Sequence, residues 1–192
     1  MTEPVRVILS SISAVPNGAL AERVTLERTE DIREVDQMSD AGITYRGMVH
    51  QWQCDHMGHM NVMWFVGKFD EATWNLGALM GMTSAYMRDA KRGMAAVDQR
   101  IAYRREALVG DIIVVRSAVL EVKPKAVRFV HEMFRGDGGD HLATMLVTGV
   151  HIDAVARKAV QFEPQILANS TALTHTAPQR WDEWPPKAAY LG

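Results

Sequence analysis

The stretch Gln53-Cys54-Asp55-His56-Met57-Gly58-His59-Met60-Asn61 gathers one carboxylate, two imidazoles and one carboxamide. A long run at residues 62–82 follows it, almost too hydrophobic for a surface helix. Polar groups at the mouth of a buried helix are a place for chemistry. A carboxylate there can serve as general base to a water or as a direct nucleophile. Backbone N–H groups at a helix start point outward unpaired and carry the positive end of the helix dipole. They suit a negative charge developing on an oxygen. Gly58 removes a side chain where a reacting group would have to approach the backbone.

The flanking sequence predicts the elements that hold these residues. Residues 43–53 are rich in aromatic and β-branched types and read as a first strand. In the next run Val62, Phe65, Val66, Phe69, Ala72, Thr73, Leu76, Leu79 and Met80 recur at helical steps. Met63, Trp64, Trp74 and Ala78 widen the apolar surface, so most of the circumference is expected to be covered. Only Lys68, Asp70, Glu71 and Asn75 break it. A second helical piece is expected at residues 84–91. After Gly93 the period changes to two, and Val97, Gln99, Ile101 and Tyr103 alternate with Asp98, Arg100 and Arg104. Strands are then expected at residues 112–122, 127–134 and 142–152, with turns at residues 109–111, 123–125 and 136–140. One strand, one long helix and four strands on short turns predict an antiparallel α+β sheet curled round a central helix.

Bulk properties narrow the classes. At 192 residues with 47% hydrophobic content, the chain is expected to form one domain with a sizeable core. A net charge of −2 gives no electrostatic footprint for nucleic acid. No apolar run reaches the ~18–20 residues that span a bilayer. The single cysteine, Cys54, excludes an internal disulfide and a Cys-based zinc site, and fits a reducing, cytoplasmic setting. Residues 5–15 are apolar, but Glu3 precedes them and Arg6 interrupts them, so they are read as a short strand or an extra N-terminal arm and not as a secretory signal. Residues 1–41 are expected to form an N-terminal extension, charge-rich at residues 23–36, with Ile32, Val35 and Met38 spaced to line a short amphipathic helix. Residues 42–163 form the domain, and residues 164–192 a tail docked by Trp181 and Trp184 or partly disordered.

The pattern Asp-x-x-Gly-His-x-Asn at Asp55, Gly58, His59 and Asn61, opening the central helix, resembles the hotdog-fold acyl-CoA thioesterases of the 4-hydroxybenzoyl-CoA thioesterase-like group. Its Asp, His and Asn spacing also looks like that of plant acyl-ACP thioesterases. In many bacterial members the loop between Asp and His is longer by three residues. The resemblance covers residues 43–162. A closer likeness, over residues 52–64 and 66–74, is to betainyl-CoA thioesterases of carnitine catabolism.

The resemblance implies hydrolysis of an acyl-CoA thioester, with Asp55, His59 and Asn61 as catalytic residues. Coenzyme A is then part of the substrate, and neither a cofactor nor a metal is required. Oxyanion donors are expected among the backbone N–H groups of residues 58–63, with Gly58 and Met60 named for the role. Several residues have a plainer role as well. Asp55 could be a solvated loop carboxylate, Asn61 a helix cap, and His59 a brace for the loop or for Asp55. His56 reads as an exposed loop residue, Cys54 lacks an activating cation, and Glu71 reads as half of a buried ion pair. A trimethylammonium acyl group would want aromatic faces, which nominates Trp64 first, then Trp52 and Tyr103, with Trp74 also near. Arg100, Arg104, Arg105, Lys123, Lys125 and Arg128 are candidates for the phosphates of coenzyme A. Members of this group dimerise edge to edge and share active sites, so a homodimer or higher homo-oligomer is expected, with no nucleic-acid or membrane partner. The competing functions are a hotdog hydratase or dehydratase and a non-catalytic acyl-CoA-binding protein.

Overall fold

A computed structural model describes residues 42–136 and 139–174. The N-terminal extension, Trp181 and Trp184 lie outside the described residues. β1 (Ile43–Met48) is followed by a 3-10 turn (Gln51–Gln53), the central helix α1 (Val62–Met80) and a short helix α2 (Ser84–Ala90). Then come β2 (Arg92–Tyr103), β3 (Ile112–Lys123), β4 (Ala126–Arg135), β5 (His141–Asp153), the two-residue β6 (Lys158–Ala159) and α3 (Pro164–Ala172). The first strand is shorter than its composition suggests. Beyond Met48 the chain leaves the sheet, and Gln53 folds back through its backbone N–H onto the His50 carbonyl at 2.9 Å.

All pairings are antiparallel, in the order β1-β3-β4-β5-β2 with β6 beside β5. β3 and β4 are joined by a two-residue turn at Pro124-Lys125, with Lys123 opposite Ala126. The link between β2 and β3 is short but is not a hairpin. It carries the chain from one edge of the sheet to the opposite side, so β2 pairs with β5 and never with β3. This crossover runs past the polar loop, where the Met60 N–H donates to the Ala107 carbonyl at 2.7 Å.

The sheet curls round α1, as the hotdog reading predicts. Phe65, Phe69, Ala72, Leu76 and Met80 form the buried stripe at three- and four-residue steps. They meet Ile113, Val115, Val119, Phe129, Met133 and Met145 of the sheet. Burying each large side chain of this kind stabilises the fold by about 1.5–3 kcal/mol. The other side of the helix is open. In one copy of the chain Met63 is 62% exposed, Val62 and Leu79 57%, and Trp74 56%. The expectation of near-complete cover therefore fails for a lone chain, because one curled sheet reaches only one face of a helix.

Polar groups fix how α1 lies on the sheet. Lys68 is buried, with Nζ donating to the Tyr45 hydroxyl at 2.9 Å and the Met48 carbonyl at 3.3 Å. Glu71, expected in a buried ion pair, is exposed. His131 of β4 is fully buried, stacked on Phe69 and edge-on to Phe129. Thr73 donates to the Phe69 carbonyl at 2.9 Å, so its oxygen accepts from His131 Nε2, also at 2.9 Å. His131 Nδ1 is then the acceptor for Ser117 at 2.5 Å, and Ser117 contacts Thr44 at 2.5 Å. One chain of hydrogen bonds thus ties α1 to β4, β3 and β1.

α3 was not expected in the C-terminal tail. Pro164 stands at its first turn, where a missing N–H costs nothing. Ile166 and Ser170 are buried, and Asn169 Nδ2 donates to the Met80 carbonyl at 3.3 Å. The helix closes the C-terminal end of α1, opposite the polar loop.

Burial without a charged partner pushes the pKa of His131 down from 6.5 to about 3. The folded protein keeps this ring neutral where the unfolded chain already binds a proton. Stability is fully present above about pH 6.5 and falls as pH drops toward 3, with a limiting slope of about 1.4 kcal/mol per pH unit for one proton. Urea unfolding between about pH 8 and pH 4 is expected to show this slope in wild type and a shallower one in His131→Gln. Equal slopes in the two proteins would contradict the assignment.

Candidate functional site

The polar loop is a tight hairpin laid against the start of α1. Cys54 bridges Met60, and the Asp55 N–H donates to the His59 carbonyl at 2.9 Å. The Gly58 N–H donates back to the Asp55 carbonyl at 3.0 Å, closing the turn. Gly58 has φ +82°, a left-handed conformation that glycine adopts without strain. A Cβ at that position would meet nothing within 4 Å, so the backbone angle and not crowding within the chain calls for glycine here.

Asn61 clasps this hairpin to the helix. Its N–H donates to the Gln53 carbonyl at 2.9 Å, and its side-chain oxygen accepts from the Met63 N–H at 2.9 Å. The second contact is an N-cap, worth about 1 kcal/mol. The Trp64 N–H donates to the Asn61 carbonyl at 2.8 Å. Asp55 therefore sits in register opposite His59, two residues before the cap.

The Asp55 carboxylate is braced through one oxygen. Oδ1 accepts from the Met57 N–H at 2.9 Å and, at 3.4 Å, from the His59 N–H. Among the described residues Oδ2 accepts no hydrogen bond. The side chain is thus held in one orientation with a lone-pair-bearing oxygen unengaged. The imidazole of His59 meets Glu106, with Nε2 3.2 Å from Oε2. His59 touches Asp55 through its backbone alone.

The amides of the loop are largely spent. Gly58 and Met60, the two named as oxyanion donors, already donate to the Asp55 and Ala107 carbonyls, and Met63 donates to its cap. Among the described residues the Val62 N–H donates to nothing, and Val62 is exposed. The first residue of α1 is therefore the amide available to an oxygen. Residue types alone leave the donor open across six positions, because the hydrogen bonds that use the others come from the hairpin itself, the crossover link and the cap.

A cavity of about 510 Å³ opens at this helix end, between α1 and the end of β2. It brings His59, Met60 and Tyr103 together with Val62, Phe65 and Arg104. Asp55, Asn61, Trp52 and Trp64 are not on its lining. Tyr103 packs edge-on against Phe65 at 5.3 Å, and burial raises its pKa, keeping the phenol protonated. The two tryptophans form a separate aromatic corner beside the hairpin. Trp52, 64% exposed, meets the half-buried Trp64 edge-on at 4.6 Å and stacks on His50 at 5.5 Å. Cys54 has its sulfur near the His50 carbonyl at 3.7 Å, a contact that does not activate a thiolate. Of the basic candidates, Arg104 and Arg105 reach the cavity, while Arg100 and Lys123 pair with Asp98 and Glu121 at 3.1 Å each. Among the described residues no three His, Cys, Asp or Glu side chains converge as metal ligands.

Comparison with known proteins gives the same architecture. A Staphylococcus aureus protein solved in complex with CoA superposes with a TM-score of 0.66 at 16% identity, over 73% of this chain and 92% of its own. A 1,4-dihydroxy-2-naphthoyl-CoA thioesterase from Synechocystis gives 0.61 at 17%, over 69% and 98%. A probable thioesterase from Escherichia coli gives 0.57 at 20%, over 68% and 98%. At these identities the likeness establishes the hotdog fold. No curated protein matches the chain. Residues 49–170, which hold the hairpin, the central helix and β2 to β6, match the thioesterase-like superfamily, and the chain belongs to that family.

Proposed function

We propose that this protein hydrolyses an acyl-CoA thioester to a free acid and CoA. The observation that carries the proposal is Asp55, held through Oδ1 with Oδ2 unengaged, on a hairpin clasped to a helix whose first amide is unspent. In one route Oδ2 takes a proton from a water, and the water oxygen attacks the thioester carbonyl. In the other Oδ2 attacks directly, giving a mixed anhydride that water then opens. Both routes place negative charge on the carbonyl oxygen, which the Val62 N–H and the positive end of α1 stabilise. Both expel CoA as a thiolate, a good leaving group. The roles of Asn61 and His59 are then positional. Asn61 fixes hairpin to helix, and the His59 N–H braces the carboxylate.

The acyl group is read as small and cationic, with betainyl-CoA the leading candidate. The likeness of residues 52–64 supports this, and so does the Trp52–Trp64 corner beside the hairpin, since aromatic faces attract a quaternary ammonium.

The working unit is read as at least a homodimer. The open face of α1 carries Val62, Met63, Trp74 and Leu79, and the edge strand β2 exposes Val97 at 62%. β2 pairs only with β5 among the described residues, so its other edge is unpaired. A second copy against this side would cover both features and complete the half-walled cavity.

Thiol release from a panel of CoA esters tests the reaction. Asp55→Asn is expected to lose roughly 10²–10⁴-fold in kcat with its thermal unfolding unchanged. Equal rates in wild type and variant would remove Asp55 from the mechanism, and betainyl-CoA turned over no better than butyryl-CoA would remove the cationic acyl group. Sedimentation equilibrium is expected to return at least twice the mass of one chain. A monomer at micromolar concentration would contradict the dimer.

A further inference from the structure

Arg104 is the unusual charge in the cavity at the helix start. It follows the last residue of β2, and its backbone N–H donates to the Leu142 carbonyl at 2.7 Å, which pins it to β5. Its side chain is half-buried, and Nε is buried with no hydrogen-bond partner. Among the described residues the guanidinium enters no ion pair. The other charges on the lining are engaged. Arg105 lies 3.6 Å from Asp140, and Arg135 donates to Asp111 at 2.9 Å, Asp140 at 2.7 Å and the Glu106 carbonyl at 2.8 Å. The Glu106 carboxylate meets His59. Neither acid on the lining neutralises Arg104.

A partly desolvated guanidinium without a partner is costly, since it loses water and gains nothing in return. Its planar fork of donors matches the paired oxygens of a phosphate or a carboxylate. Resting on the thioester reading above, we infer that Arg104 anchors an anionic oxygen group of the substrate in this cavity. It is a binding residue and takes no part in the bond cleavage assigned to Asp55. Two sources supply that chemistry: a phosphate of CoA, which agrees with a cationic acyl group, or a carboxylate on the acyl chain, which would replace that acyl group.

The test combines calorimetric titration with free CoA and steady-state kinetics on butyryl-CoA and glutaryl-CoA, for wild type, Arg104→Gln and Arg104→Lys. Losing one charge-assisted contact is expected to weaken CoA binding about tenfold in Arg104→Gln and to raise both KM values by a similar factor. kcat should stay within about twofold, and Arg104→Lys should recover part of the loss. That outcome assigns the anion to CoA. A loss confined to glutaryl-CoA, with CoA affinity unchanged, supports the inference with the carboxylate as its source. A folded Arg104→Gln that matches wild type in CoA affinity and in both KM values overturns it. Should Arg104→Gln fail to fold, inhibition of wild type by inorganic pyrophosphate and by glutarate decides instead: competition with the ester by either anion supports the inference, and the absence of both overturns it. Wild type inert to every ester, yet binding pyrophosphate in a manner that Arg104→Lys weakens, would sink the thioester reading and leave the anion site standing.

Discussion

The two contacts made by Asn61 are the constraint on which the site depends. One ties the loop backbone to Gln53, and the other caps the first turn of α1. A capped helix start would ordinarily satisfy only itself. Here the same residue joins the helix to the hairpin, so the loop that carries Asp55 is fixed to the first turn of α1. The crossover between β2 and β3 supports that corner from the other side, through Met60 and Ala107. The geometry of this corner is therefore set by hydrogen bonds to backbone groups through short side chains, which tolerate less drift than contacts between long ones.

The rest of the fold keeps α1 from sliding or turning. Phe69 and its neighbours supply the apolar driving force, but a greasy stripe alone would accept several registers. The line from Thr73 through His131 and Ser117 to Thr44 accepts one, because a displaced helix would leave a buried imidazole unpaired. Lys68 adds a second lock against β1. At the far end α3 and Gly81, in a left-handed conformation at φ +97°, terminate the helix. The polar corner thus sits at the open end of an otherwise anchored rod.

Much of this was legible in the residues. The three-and-four spacing from Phe65 to Met80 marks α1 almost to its ends, and Gly81 marks its stop. Period-two alternation marks β2 and β4, the continuous β-branched run at residues 112–122 marks β3, and the glycine-rich turn at residues 136–140 marks the start of β5. Strand order was not legible, because a short link between Tyr103 and Ile112 looks the same whether it turns back or crosses the sheet. α3 is not legible as a helix although Pro164, Ile166 and Ser170 carry the start signal and the spacing, since prolines and Ser/Thr further along read as a tail. Asp55, Gly58 and Asn61 stood out by type. The Gly58 amide is spent within its own turn, but the use of the Met60 amide depends on the crossover, and the lack of an ion pair for Arg104 among the described residues depends on the neighbours the fold gives it, which local sequence does not report.

The account stands on a carbonyl fitting between Asp55 Oδ2 and the Val62 amide. A crystal structure with a non-hydrolysable ketone analogue of the acyl-CoA substrate measures this directly. The account predicts the carbonyl carbon about 3–3.5 Å from Oδ2 and the carbonyl oxygen within about 3 Å of the Val62 nitrogen. An analogue bound with its carbonyl out of reach of both atoms would contradict it.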